Sequence, residues 1–166
     1  AVDADGDEYE QVMFTSVQVT DPTPDQPSVV AGAQAGAPAV PQATLERLRA
    51  AGWHVDRSLP GGFGLYDARV VGAARAAVLH LSYSDGLATL SLFEQRGRLA
   101  SRALAGWRRS ALAGRTVYVD ASSPQRLAWQ GGGTVYALLS DATPAQVADA
   151  VTGLPHGGDG DDVVDR

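Results

Sequence analysis

Cysteine is absent from this chain, and with it go disulfide staples, thiolate metal sites and cysteine nucleophiles. Lysine, asparagine and isoleucine are missing as well, so all 13 basic residues are arginines. We read that as the coding bias of a GC-rich genome rather than selection for guanidinium chemistry, which lowers the weight of any arginine count. No window approaches the roughly 20 apolar residues of a membrane-spanning helix. The opening AVDADGDEYE has neither the basic nor the apolar region of a signal peptide, so an exported protein would carry its signal ahead of residue 1. Catalytic parts are scarce too. The three histidines, His54, His80 and His156, share no helix at a four-residue spacing, and neither HExxH nor GxSxG occurs.

What remains is enough for one domain. The 166 residues are 45% hydrophobic, which suffices for a single packed core and falls short of two. The net charge of -6 conceals an asymmetry. Residues 1 to 40 hold seven acids and no base, residues 41 to 155 eight acids and twelve arginines, and residues 156 to 166 four acids and one arginine. Acidic ends therefore flank a mildly basic middle, and solvated tails that keep a domain soluble account for that pattern.

The clearest local signal is AAVLHLSYSDGLATLSLF, from Ala76 to Phe93. Two runs of strand formers flank Asp85-Gly86, a pair suited to a two-residue type I′ turn. With that turn, Ser84 faces Leu87, Tyr83 faces Ala88, Leu81 faces Leu90 and Leu79 faces Leu92. One side then carries Leu79, Leu81, Tyr83, Ala88, Leu90 and Leu92 towards a core. The other carries His80, Ser82, Ser84, Thr89 and Ser91 towards water, with Phe93 near its end.

Around this hairpin the chain divides readily. Residues 8 to 19, EYEQVMFTSVQV, are expected to form a strand, and residues 20 to 40 a linker rich in proline, alanine and glycine. PQATLERLRAAG, from Pro41 to Gly52, predicts a short helix with proline at its start and glycine at its end. Leu59-Pro60-Gly61-Gly62 is a turn, and Phe63 to Val71 a strand. EQRGRLASRALAGWRRSALAGR then brings Arg96, Arg98, Arg102, Arg108, Arg109 and Arg115 around Trp107, and periodicity does not decide between a broken helix and a long loop. Three strands in meander order follow, at 115–119, 125–130 and 134–139, with turns at 120–124 and 131–133. Thr143 to Gly153 is the best-signed helix, with Thr143 and Gln146 forming a capping box and Pro144 at the first helical position. Residues 156 to 166 are expected to be a disordered acidic tail. The expected fold is α+β: an antiparallel sheet, hairpin plus three-strand meander, with the N- and C-terminal helices packed on one face.

The chemistry these residues suggest is binding rather than turnover. His80 opposite Ser91, with Ser82 and Thr89 adjacent, can be drawn as a base and a nucleophile, but hydroxyls on a solvent face need no catalytic reason. The glycine clusters PGGFG and GGG join strands instead of leading into a helix N-terminus, so they are turns and not phosphate loops. Asp159, Asp161 and Asp162 lack the spacing of a calcium loop. No catalytic residue, cofactor or metal is expected. The arginine segment could sit in solvent, or meet an anionic lipid or the carboxylates of a polypeptide. Nucleic acid is not an expected partner of an acidic chain without a nucleic-acid motif.

LSYSDGLATLSLF from Leu81 to Phe93, preceded by Leu59-Pro60-Gly61-Gly62-Phe63 and followed by the strand at Val117 to Val119 and a C-terminal helix, resembles the small C-terminal domain of RseB/MucB-type regulators of envelope-stress sigma factors. The resemblance covers about residues 41 to 155, and its most specific piece is the YSDGL turn. It implies an extracytoplasmic, non-enzymatic domain, in the periplasm or cell envelope, that binds the extracytoplasmic segment of an anti-sigma factor and shields it from proteolysis. It also gives residues 1 to 19 a role as the last strand of a preceding LolA-like domain, itself anchored as a lipoprotein in one version of the reading. That larger domain's lipid sensing is not carried over to these residues. Partner contacts are expected, from exposure, at His80, Ser82, Thr89, Ser91, Phe93, Arg96 and Arg98, with Asp85 and Gly86 shaping the turn. The alternative is a lipid- or lipoprotein-binding envelope protein that uses the arginine segment.

Overall fold

The computed structural model describes residues 11–12, 40–73, 76–120 and 125–155. Apart from Gln11–Val12 and Val40, the expected N-terminal strand and linker lie outside the described residues, as do most of the 120–124 turn and the acidic tail.

Among the described residues the chain forms β1 (Gln11–Val12), α1 (Gln42–Ala50), β2 (Ser58–Leu59), β3 (Phe63–Val71), β4 (Val78–Ser84), β5 (Thr89–Arg96), β6 (Arg98–Leu99), β7 (Arg108–Leu112), β8 (Arg115–Asp120), β9 (Gln125–Gly131), β10 (Thr134–Ser140) and α2 (Pro144–Thr152). Eight strands make one antiparallel sheet in the order β2-β3-β4-β5-β10-β9-β8-β7. The hairpin and the meander are therefore halves of a single sheet, joined where β5 pairs with β10. Between them the chain leaves β5, crosses to the far edge, and returns strand by strand through β7, β8 and β9. The meander has four strands, not three, because Arg108–Leu112 forms an additional edge strand turned onto β8 at Ala113-Gly114.

The hairpin register differs from the expected one by two residues. Ser84 faces Thr89, Tyr83 faces Leu90, Leu81 faces Leu92 and Leu79 faces Glu94. The loop is Asp85 to Ala88. A type I′ turn needs positive φ at both central residues, and of the pair only Gly86 has it, at 96°. Asp85 instead folds its carboxylate back over the loop, where Oδ1 accepts hydrogen bonds from the N–H groups of Leu87 and Ala88, both at 2.8 Å. A shift of two keeps every side chain on its face, so the leucines remain inward although their partners change.

Both helices end as their sequences indicate. α1 begins after Pro41 and stops where Gly52 takes φ 83°. α2 has the full capping box between Thr143 and Gln146, with Pro144 opening the helix. The main core joins Leu45 of α1 and Val147, Ala150 and Val151 of α2 to Leu79, Leu81, Tyr83, Leu90, Leu92, Leu127, Trp129 and Leu138 of the sheet. Leu154 just after α2 belongs to it too. A second, smaller core holds Leu99, Ala128 and Val135, with Leu104, Trp107 and Tyr118 packed against it.

Candidate functional site

The alternation of the strands places the second core on the sheet face opposite the first. Ala128 and Val135 flank Trp129, Tyr136 and Leu138 in their strands, and neighbours in a strand point to opposite sides. On this second face runs the crossover from Gly97 to Trp107: β6, a 3-10 turn over Ser101–Leu104, and the approach to β7. Its apolar positions, Leu99, Leu104 and Trp107, pack down while Arg98 just before them and Arg102 between them stay exposed. Backbone groups fasten it. The Gly97 N–H donates to the Gly133 carbonyl at 2.9 Å, and the Leu99 N–H donates to Oε1 of Gln130 at 2.7 Å. β1 pairs with β6 in parallel, Gln11 beside Arg98 and Val12 beside Leu99. The arginine segment is thus a strap over the sheet followed by an edge strand, neither a broken helix nor a loose loop.

Strap and sheet enclose a cavity of about 210 Å³. Leu99, Ala103, Leu104 and Trp107 line it from the strap, and Phe93, Arg126, Ala128, Ala137 and Leu139 from the sheet. Three alanines make the room, since a larger side chain at any of them would occupy the space. Arg126 is the one charged residue in the lining. Its Nη1 approaches Asp120 Oδ2 at 3.7 Å, while its Nε is buried and finds no partner among the described residues.

The residues expected to contact a partner do not form one patch. His80 sits opposite Phe93, and the rings stack in parallel with centroids 4.4 Å apart. Ser82 sits opposite Ser91 and Ser84 opposite Thr89, so these six share the second face, contiguous with the cavity through Phe93. That face is drier than alternation alone suggested. Ser82 is 6% exposed and Ser84 8% exposed, and His80, Thr89, Ser91 and Phe93 are half-buried. Ser84 serves the turn, its Oγ donating to the Ala88 carbonyl at 2.8 Å and accepting from the Gly86 N–H at 3.0 Å. Arg96 lies on the face of the main core, where its Nη2 donates to the Ala51 carbonyl at 2.6 Å and its guanidinium stands 5.8 Å from the Trp53 ring centre. Arg98 stands in the strap. The remaining arginines also scatter, with Arg108 and Arg109 exposed on β7 and Arg115 only 5% exposed.

A nucleophile arrangement is poorly served by this geometry. Ser82 Oγ and His80 Nε2 are 3.4 Å apart, at the limit of a hydrogen bond, and the nearby Asp67 carboxylate accepts from Nε of Arg69 at 2.6 Å. Burial lowers the His80 pKa, with Arg69 adding to the effect and Asp67 opposing it, so the ring is neutral near pH 7. Among the described residues no group of three or more His, Asp or Glu side chains is placed to hold a metal ion. No helix of the described residues is long and apolar enough to cross a membrane.

Sequence reasoning missed two features. Trp107, Leu99 and Leu104 were hidden inside a run that reads as arginine-rich, though their spacing was a signal that the run packs on something. Glu94 is the other. Alternation with Leu90 and Leu92 puts it on the core face, 1% exposed, and the observed register sets it between Leu79 and Tyr136. Its Oε2 accepts from the His54 N–H at 3.1 Å and its Oε1 has no partner among the described residues. Burial raises its pKa to about 7. No protein-family model matches this chain, and comparison with curated proteins and with solved structures returns no match for it.

Proposed function

We propose that this chain is a non-enzymatic, extracytoplasmic binding domain of the RseB/MucB kind, which holds the extracytoplasmic segment of an anti-sigma factor and withholds it from a protease. In this reading the two helices cover one face of the sheet, and the partner is received on the other. The observation that carries it is the second face itself. The stacked His80–Phe93 pair and the Ser82–Ser91 pair run up to an apolar cavity that the strap roofs only in part. Half-buried aromatic and hydroxyl groups beside a hydrophobic recess are the composition of a contact surface. The lipid reading, which needed the arginines as one patch, draws less support from their dispersal over both faces, the edge and the interior.

The test is capture of the matching anti-sigma ectodomain by the full chain. Phe93→Ala is expected to weaken capture at least tenfold, whereas Arg96→Glu, on the face of the main core, should leave affinity within twofold while lowering thermal stability. Absence of capture by the wild-type chain, or loss with Arg96→Glu alone, would sink the proposal.

A further inference from the structure

The cavity beneath the strap has a chemistry of its own. Its walls are apolar except for Arg126, whose side chain is 34% exposed. Asp120 engages that side chain only through a long contact, 3.7 Å from its Oδ2 to Nη1. A guanidinium at the wall of an apolar recess, held to its own carboxylate by one long contact, has charge to spare for a second carboxylate.

Size narrows the choice further. An apolar cavity of about 150 Å³ holds benzene, and drug-sized ligands use upward of about 300 Å³. At about 210 Å³ this one has room for a phenyl ring with two or three further carbons, or for a short alkyl chain, and not for a full lipid tail. Trp107, Phe93, Leu104 and Leu139 supply the apolar contacts. Ala103 and Ala137 line the space without filling it.

We propose that the strap cavity is a binding site for a small apolar carboxylate, an aromatic or aliphatic acid of about six to ten carbons, with Arg126 as its counter-ion. The site shares Phe93 with the surface of the anti-sigma reading, but its chemistry does not depend on that reading and would survive its failure.

Two-dimensional amide and indole NMR of the full chain, titrated with 3-phenylpropanoate, tests it. The expected result is saturable shifts of the Trp107 indole N–H and of the Phe93, Ala128 and Ala137 amides, with a dissociation constant on the order of 1 mM or below. The uncharged 3-phenylpropanamide should bind at least tenfold more weakly, and Arg126→Gln should cost the acid the same factor while leaving the amide unchanged. Octanoate should bind like 3-phenylpropanoate, and dodecanoate no more tightly. Ala137→Leu, or Ala103→Leu should the first disturb the sheet, fills the space and is expected to abolish saturation. The proposal is overturned if the acid gives no saturable shift up to 10 mM (about tenfold above the expected constant), or if acid and amide bind alike. Tighter binding of dodecanoate, or binding undiminished in a cavity-filled variant that folds normally, overturns it equally.

Discussion

Among the described residues two ionisable side chains, Glu94 and Arg115, are sealed inside the fold, and each decides something out of proportion to its size. Glu94 holds its proton up to about pH 7 because burial outweighs the single hydrogen bond from the His54 amide. Its folded-state pKa of about 7 lies above the ordinary 4.5, so between these values the unfolded chain ionises while the folded one does not. Stability should therefore fall as pH rises from about 4.5 and level off above 7, by about 3 kcal/mol in all. Chemical denaturation across pH 4 to 8 checks this, and Glu94→Gln should flatten the slope. Arg115 is the counterpart. It donates to the carbonyls of Leu154 at 3.0 Å and Pro155 at 2.8 Å, with its guanidinium 5.6 Å from the Trp129 ring centre. It pins the chain leaving α2 to β8, and Arg115→Ala should cost about 2 to 4 kcal/mol by equilibrium unfolding, since a buried carbonyl and a half-buried one lose their donor.

Among the elements, the hairpin loop and α2 are tied together. Asp85 accepts from Leu87 and Ala88 through Oδ1 and from Nε2 of Gln146 through Oδ2 at 3.0 Å, linking the loop to the first turn of the helix. The backbone hydrogen bonds hold the Asp85 carboxyl below its ordinary pKa of 3.8, so its contribution is present above that value and lost as pH falls below it. Asp85→Ala should lower the melting temperature measurably, whereas Leu87→Ala, at a side chain 98% exposed in the same loop, should not. At the other end of α2 the helix meets the Pro60 turn so closely that a Cβ on Gly153 would lie 2.5 Å from Pro60 Cδ. Thr143→Ala removes the cap and should cost about 1 kcal/mol. Both values are read from the same unfolding curves.

At the scale of the whole molecule, the chain's order in space departs from its order in sequence at one place, the crossover. β5 and β10 are adjacent in the sheet yet separated by the entire strap and three strands, so their pairing closes the two halves late and against a large loop entropy. Amide exchange should be slowest in β4, β5, β10 and β9, the four central strands, and fastest in β2 and β7 at the edges. Trp107→Ala should loosen the strap without unfolding the main core, because Trp107 packs against the smaller core alone. Proteolytic nicking between Ser101 and Gly106 at unchanged far-ultraviolet circular dichroism would show it, and global unfolding would contradict it.

Local chemistry alone determined the two helices, the alternation of the hairpin, the 60–62 turn and the last three strands, because caps, glycines and period-two patterns act over a few residues. It also determined which hairpin side chains face inward, since an even register shift leaves the faces unchanged. The shift itself, the fusion of hairpin and meander into one sheet, and the path of the strap were decided only by the tertiary structure. An arginine-rich run does not announce that Leu99, Leu104 and Trp107 will meet Ala128 and Val135, which lie on strands formed later in the chain. For the same reason nothing in the sequence marks Glu94 and Arg115 as buried: burial is a property of what packs around a side chain, and those neighbours are distant along the chain.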